Sequence, residues 1–174
     1  MTPELKNRGF IVNHKKVQRI MHKLNLFGKR PNQKWTTDVS QFKFSWGKCY
    51  LSPILDMFND EIVSYNLSLH PNFEQVTDML NKAFDKYDDL SGLVFHSDQS
   101  RQYQHRLYLG KLKSRGIAQS MSRKGNCYDN SIMESFFGTL KKEMCYGLES
   151  TYRSFDEFAK AIDEYIFYYN NKRI

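Results

Sequence analysis

Three acidic residues lie in settings that are unusual for solvated charges. Asp38 lies inside an alternating segment, Asp98 directly follows a short apolar run, and Glu134 is flanked by apolar side chains. Carboxylate oxygens are ligands that Mg²⁺ and Mn²⁺ prefer. Two such ions about 4 Å apart can hold the attacking and leaving oxygens of a phosphoryl displacement. The three acids therefore predict a two-ion site in which Asp38 bridges both ions and Asp98 and Glu134 each complete one.

Each acid also has an ordinary structural interpretation. Asp38 alone could be a buried, hydrogen-bonded acid, and Asp98 alone could be a turn residue after a strand. Glu134 stands three residues after Ser131, which is the spacing of a helix capping box. The metal site is favoured only if three separate elements bring the acids together.

The elements that must position the acids can be predicted from periodicity. Two-residue alternation over 35–44 predicts a first strand with Asp38 on one face, and extended runs at 49–58 and 62–69 complete an antiparallel meander. Helices are predicted around 76–87, 105–114, 129–144 and after Ser154, where Ser154 and Glu157 form a capping box. Short strands are predicted at 93–95 and 117–121. This order predicts an α/β fold: a ribonuclease-H-like mixed five-stranded sheet, three antiparallel strands then two parallel, flanked by helices.

The charge of the chain is concentrated in particular segments. Of the net +7, residues 1–34 carry +8, residues 56–89 carry −6 and residues 101–142 carry +7. Basic stretches beside an acidic one indicate a surface for a polyanion, although a solvated charge run is the plainer interpretation. One helix is predicted at 13–24, and its basic face carries Lys15, Lys16 and Arg19. We therefore divide the chain into a basic helical arm, 1–33, and a core, 34–174.

Several protein classes are disfavoured by composition. No apolar run approaches the roughly 18 residues that a membrane helix needs, and the start does not resemble a signal peptide. The cysteines are Cys49, Cys127 and Cys145, an odd number without a C-x-x-C motif, which argues against a disulfide framework or a zinc site. We expect a protein of the reducing cytoplasm.

Residues 34–146 resemble the catalytic core of insertion-sequence DDE transposases, specifically the integrase-like subunit encoded by a second reading frame. The matching stretches are Trp35-Thr36-Thr37-Asp38, His96-Ser97-Asp98-Gln99, Gln102-Tyr103, Ser120-Met121-Ser122, Gly125 to Asn130, and Met133 to Glu143. Between Asp98 and Glu134 lie 35 residues, the spacing that defines the D,D-35-E class. A chance match over stretches this long is very improbable.

The resemblance implies a metal-binding catalytic triad of Asp38, Asp98 and Glu134 that cleaves DNA and transfers strands with two Mg²⁺ or Mn²⁺ ions. It implies DNA as partner, both element ends and target, and a homo-oligomer on that DNA, with no membrane. Contacts to DNA are predicted for Lys141, Lys142, Asn130, Arg123, Lys124, Lys15, Lys16 and Arg19. His96 either orients Asp98 or fills the end of its strand, and the second role is favoured.

The sequence also departs from the family pattern. The family usually has glycine where this chain has Ser100, and a glycine there with positive φ would make Ser100 a source of strain beside Asp98. The basic arm resembles the end of a helix-turn-helix region, and the last residues resemble the start of a longer segment. We therefore expect a chain shortened at both ends. Two alternatives stay open: an inactive DNA-binding remnant of a transposase, and a ribonuclease-H-type nuclease.

Overall fold

A mixed β-sheet is the centre of the molecule. The computed structural model describes residues 33–122 and 131–173, together with residues 8, 9, 17, 20 and 21. The strands are β1 (Lys34–Thr37), β2 (Ser40–Phe44), β3 (Gly47–Asp56), β4 (Glu61–Ser68), β5 (Val94–Ser97) and β6 (Ala118–Met121). β3 pairs antiparallel with β1, β2 and β4, whereas β5 runs parallel to β1 and β6 runs parallel to β5. The predicted antiparallel meander followed by two parallel strands is confirmed.

The first predicted strand is interrupted at Asp38 and Val39, so the sheet has six strands where we predicted five. β1 and β2 keep a single register along β3, with Thr37 opposite Ile54, and this register sets Pro53 opposite Asp38. Proline has no backbone N–H to donate across a ladder. The Pro53 carbonyl accepts a hydrogen bond from the Thr37 hydroxyl at 2.8 Å. The interruption therefore originates in the neighbouring strand, and it frees Asp38 from the ladder.

Two helices cover one face of the sheet, and we call the apolar cluster beneath them the α1/α2 core. They are α1 (Phe73–Phe84) and α2 (Arg106–Ser114), with a 3₁₀ turn at Arg101–Gln104 before α2. Alternation along β1 and β5 directs Trp35 and Phe95 into this core, where the two rings meet edge to face. Further members of the α1/α2 core are Ile54, Val76, Met79, Leu80, Tyr103, Tyr108 and Leu112.

The other face is covered by α3 (Ser131–Met144) and α4 (Phe155–Asn171), above what we call the α3/α4 core. The predicted apolar stripe of α3 is confirmed, because its buried residues are Met133, Phe136, Phe137, Leu140 and Met144. Phe158 of α4 is fully buried and packs on Phe42 and Phe44 of β2. The predicted cap of α4 is also present: the Ser154 hydroxyl accepts the Glu157 N–H at 3.2 Å.

The end of α4 is fastened to the outer strand β4. The Asn170 side chain accepts the N–H of Ile62 at 2.9 Å and donates to the carbonyl of the same residue at 3.0 Å. One amide side chain thus satisfies both backbone groups of a strand residue, as a neighbouring strand would. This pairing fixes α4, and the α3/α4 core with it, relative to the sheet.

Most of the basic arm lies outside the described residues. Of the helix predicted at 13–24, residues 17, 20 and 21 are described, and they are helical. Within the described part of the chain, no helix is both long enough and apolar enough to cross a membrane. The division into an arm and a core stays a prediction.

Candidate functional site

Asp38 and Asp98 lie at the ends of adjacent parallel strands. β1 and β5 pair with Thr36 opposite His96, and this register, continued by two residues, sets Asp38 level with Asp98. Neighbouring strands lie about 4.8 Å apart, and side chains at matching positions point to the same face. The sheet therefore brings these two acids to one edge, on the face that α3 covers.

The electrostatics of Asp38 show which charges surround it. Burial raises the pKa of Asp38 to about 6, and repulsion from Asp98 and Glu134 contributes to the rise. Opposing effects come from the N–H of Val39, which donates to the carboxylate at 2.7 Å, and from the positive charge of Lys141. Asp98, Glu134 and Lys141 therefore all lie close enough to Asp38 to act on its charge.

Glu134 and Lys141 are presented by α3. The helix begins at Ser131, which makes Glu134 its fourth residue, one position beyond the place from which a capping-box glutamate reaches back. Glu134 is exposed. The Lys141 ammonium lies 5.4 Å from the centre of the Phe42 ring, a cation–π contact that holds it on the side of the helix facing Asp38. This contact joins β2 to α3, so a pattern within one segment does not predict it.

Ser100 is not a source of strain, and that expectation is wrong. Its φ is −60° and its ψ is 146°, an extended conformation open to any residue. Instead, both its polar groups serve Asp98: the N–H donates to one carboxylate oxygen at 3.0 Å and the hydroxyl to the other at 2.5 Å. The family usually has glycine at this position, so the resemblance already marked Ser100 as a difference from the family.

His96 joins β5 to the end of β6 through two serine hydroxyls. Its Nδ1 lies 3.0 Å from the Ser120 hydroxyl, and its Nε2 lies 3.0 Å from the Ser122 hydroxyl. The imidazole is buried, and the two serines lie at the end of β6 and just beyond it. The favoured interpretation, that His96 fills the end of its strand, agrees with these contacts.

Tyr103 lies beneath the two strand ends and was not predicted as a site residue. It is fully buried, and its hydroxyl forms no hydrogen bond of ordinary geometry among the described residues, although the Thr37 and Gln102 side chains lie close to it. Burial raises the pKa of Tyr103, the nearby Thr37 side chain opposes the rise, and the charges of Asp38 and Asp98 add to it, which places the hydroxyl near both acids. A buried donor without a partner costs about 1–3 kcal/mol unless water or an ion satisfies it. The Tyr103 hydroxyl can therefore still form a hydrogen bond beneath the acids.

The donor set suits divalent cations that each take two carboxylates. Within 33–122 and 131–173, no three His, Cys, Asp or Glu side chains cluster closely enough to hold one ion. Magnesium, however, usually binds through one or two carboxylates, with water and phosphate oxygens completing the shell. The mutual repulsion that raises the pKa of Asp38 is the kind that a cation offsets. The residues present therefore fit hard divalent ions held pairwise.

Two of the predicted DNA contacts, Lys141 and Lys142, lie among the described residues. Lys141 borders a groove of about 210 Å³ that also has Lys43 and Tyr146 in its wall, whereas Lys142 is exposed. The other predicted contacts, which are Asn130, Arg123, Lys124, Lys15, Lys16 and Arg19, lie outside the described residues. All eight contacts stay predictions.

Comparison with protein families and curated proteins gives a consistent result. Two models described as integrase core domain match residues 28–127 and 134–174, and a model described as HTH-like domain matches residues 1–34. An uncharacterized transposase-like protein of Haemophilus influenzae is 46% identical, with 94% of this chain and 87% of the relative aligned. The putative transposase InsK for insertion sequence element IS150 of Escherichia coli is 42% identical, over 100% of this chain and 71% of the relative.

Solved structures share the fold at low sequence identity. The HTLV-2 integrase catalytic core domain in complex with magnesium aligns with a TM-score of 0.61 at 17% identity, over 82% of this chain and 87% of that one. A chain of a simian T-cell lymphotropic virus intasome aligns with a TM-score of 0.69 at 17% identity, over 84% of this chain and 51% of that one. The predicted ribonuclease-H-like architecture is confirmed.

Proposed function

Because this chain belongs to the insertion-sequence transposases with an integrase core domain, we propose that it cleaves DNA at the ends of an element and transfers the freed strands to a target. The observation that supports the proposal most is that Asp38 and Asp98 follow adjacent parallel strands, with Asp98 and Glu134 both close enough to raise the pKa of Asp38. Relatives establish the family, and the reaction is inferred from the acids.

The proposed reaction has two displacements at phosphorus. Water first attacks a phosphodiester at the element end, breaking one P–O bond and freeing a 3′-hydroxyl. That hydroxyl then attacks a phosphodiester of the target, so that one P–O bond forms as another breaks. Neither step requires a covalent protein–DNA intermediate, so the proposal assigns no protein nucleophile.

Each acid has a distinct proposed role. Asp38, between the other two, would be shared by both cations, while Asp98 and Glu134 would each complete one site. Divalent cations, when bound, supply neutralisation of the phosphate charge and a lowered pKa for attacking water. Asp38 and Asp98 follow rigid strands of the sheet, which suits the narrow geometry that magnesium accepts.

The DNA backbone would approach along the groove beside the acids. Lys141 is held over Phe42 with its charge toward Asp38, and it is well placed to contact a phosphate next to the reacting one. We propose the remaining basic positions, Lys142, Asn130, Arg123 and Lys124, as further contacts, and Lys15, Lys16 and Arg19 as contacts of the arm. The homo-oligomer on DNA is likewise a proposal.

The test is a strand-transfer assay on Glu134→Gln with Mg²⁺ or Mn²⁺. We expect at least about a thousandfold loss of cleavage and joining, since losing a metal ligand removes several kcal/mol of transition-state stabilisation. Folding and DNA binding should be retained. Glu164→Gln is the matched control, because Glu164 is exposed on α4, and it should keep full activity.

Three outcomes separate the alternatives. Full activity in Glu134→Gln would refute the assignment of this acid. A wild-type chain that binds DNA with strong salt dependence, yet neither cleaves nor joins it, would fit the inactive remnant. Cleavage of an RNA–DNA hybrid in preference to joining of DNA ends would favour the ribonuclease-H-type nuclease.

A further inference from the structure

Ser100 holds the carboxylate of Asp98 at both of its oxygens. The backbone N–H of Ser100 donates to Oδ1 at 3.0 Å, and its hydroxyl donates to Oδ2 at 2.5 Å. An ionised carboxylate only accepts, so the hydroxyl must be the donor. Two bonds from one residue, one to each oxygen, fix the rotation of the carboxylate plane as well as its position.

Ser100 is itself held in place by its surroundings. Its carbonyl accepts the N–H of Tyr103 at 3.0 Å, which anchors it to the 3₁₀ turn at Arg101–Gln104. The preceding residue, Gln99, donates from its side chain to the Ser122 carbonyl at 3.0 Å, which ties the loop to the end of β6. These contacts hold the backbone of Ser100 in place, so its hydroxyl can hold the Asp98 carboxylate in one orientation.

The other two acids have different surroundings. Asp38 accepts from the N–H of its own neighbour, Val39, at 2.7 Å, and Glu134 extends from the exposed side of α3. Each oxygen of Asp98 keeps lone-pair capacity after accepting one bond, so the contacts with Ser100 leave room for a cation. Ligands oriented in advance by such contacts bind metals more tightly than free ones.

We propose that Ser100 is a positioning residue that sets the Asp98 carboxylate for a divalent cation. The inference rests on the proposed function, in which Asp98 is a ligand. The hydroxyl is the part that matters: alanine or glycine at position 100 would keep the backbone bond to Oδ1 but lose the bond to Oδ2. Threonine would keep both, because the extended φ and ψ of this position suit a β-branched residue.

The experiment is a calorimetric titration of the whole chain with Mn²⁺ alone. We expect Ser100→Ala to bind Mn²⁺ about tenfold more weakly, the range found for contacts that orient a metal ligand. Ser100→Thr should recover most of the affinity. Gln104→Ala is the matched control, because Gln104 bonds the carbonyl of Gln99 in the same loop without touching Asp98, and its affinity should equal that of the wild type.

Two results would overturn the role of Ser100. One is a Ser100→Ala variant that binds Mn²⁺ as tightly as the wild type, or more tightly. The other is an equal loss in Gln104→Ala, which would mean that general loosening of the loop explains the effect. A rescue by threonine distinguishes orientation by the hydroxyl from a merely structural role.

Asp98→Asn separates this inference from the proposed function. If Asp98→Asn loses Mn²⁺ binding while Ser100→Ala does not, only the role of Ser100 is wrong. If Asp98→Asn binds Mn²⁺ like the wild type, Asp98 is not a ligand, and both the proposed site and the inference drawn from it fail.

Discussion

The two faces of the sheet differ in how completely their polar groups are satisfied. Among the described residues, the buried side-chain atoms that lack a hydrogen-bond partner belong to Trp35, Gln75, Tyr103 and Tyr108, and all four lie on the α1/α2 side. In the α3/α4 core, by contrast, the Tyr165 hydroxyl donates to Glu143 at 2.8 Å. The α3/α4 core is thus built for packing, whereas the α1/α2 core carries unpaired polar atoms, one of them beneath the acids.

Unpaired buried groups cost stability unless water or an ion satisfies them. The two cores therefore differ in how substitutions should change the free energy of unfolding, although the acids themselves lie on the side that α3 covers. Removing packed side chains from the α3/α4 core should lower the free energy of unfolding. Changes beside Asp38 and Asp98 should alter stability in ways that packing does not predict.

The largest effect is expected from Phe158→Ala. Phe158 is fully buried in the α3/α4 core and contacts Phe42, Phe44 and Tyr152. Removing a buried aromatic ring costs about 3–5 kcal/mol. Chemical denaturation should show this loss, while Phe167→Ala, at an exposed position of the same helix, should change stability little. If Phe158→Ala lowers the free energy of unfolding by less than about 1 kcal/mol, the claim that packing in the α3/α4 core stabilises the fold is wrong.

Asp38→Asn should stabilise the metal-free protein, by an amount that grows above about pH 4 and is complete above about pH 6. Because the folded-state pKa is raised to about 6, the stability that protonated Asp38 contributes is present below about pH 4 and is lost as pH rises through 6. We expect Asp38→Asn to raise the free energy of unfolding by about 1–3 kcal/mol at pH 8, and by nearly nothing below pH 4.

Denaturation curves at several pH values check this prediction. Asp78→Asn, at an exposed position of α1, should show no such dependence. If Asp38→Asn is less stable than the wild type at pH 8, the surroundings stabilise the Asp38 carboxylate. That result would contradict the raised pKa of Asp38.

A pair of tyrosine variants compares the two faces most directly. Tyr103→Phe removes an unpaired buried hydroxyl, so we expect it to gain about 1 kcal/mol of stability. Tyr165→Phe removes a hydroxyl bonded to Glu143, so we expect it to lose about 1 kcal/mol. Changes of the same sign in both variants would mean that the faces do not differ in this respect.

The smallest effect is expected at Asn170. Asn170→Ala removes both bonds to the backbone of Ile62 at the edge of the sheet, at a cost of about 1 kcal/mol or less because solvent can replace them. Hydrogen exchange at the Ile62 amide should accelerate. Unchanged protection of that amide would mean that the pairing contributes nothing to fastening α4.

Much of the fold was predictable because it depends on local periodicity. Alternation placed β1 to β4, and the 3.6-residue stripe of α3 identified Met133, Phe136 and Leu140 as buried. The interruption at Asp38 was not predictable from its own segment, because its cause is Pro53 on the neighbouring strand. Contacts across strands require the register, which a pattern within one segment does not contain.

The assignment of Asp38, Asp98 and Glu134 to one site stays a prediction, and the contacts that support Asp98 could not be predicted. The register of β1 and β5 sets Asp38 level with Asp98, as expected for the ends of adjacent parallel strands. Strain at Ser100 was expected only for a positive φ, and the contacts of its hydroxyl depend on the conformation of the loop. Tyr103 and the contact of Lys141 with Phe42 depend on tertiary packing, which spacing along the chain does not reveal.

Crystals soaked in Mn²⁺ and measured by anomalous diffraction test the central claim most directly. We predict two anomalous peaks about 4 Å apart, one between Asp38 and Asp98 and the other between Asp38 and Glu134. A map in which Mn²⁺ occupies other positions, with the carboxylate of Asp38 or Glu134 turned away from its partners, would contradict the account.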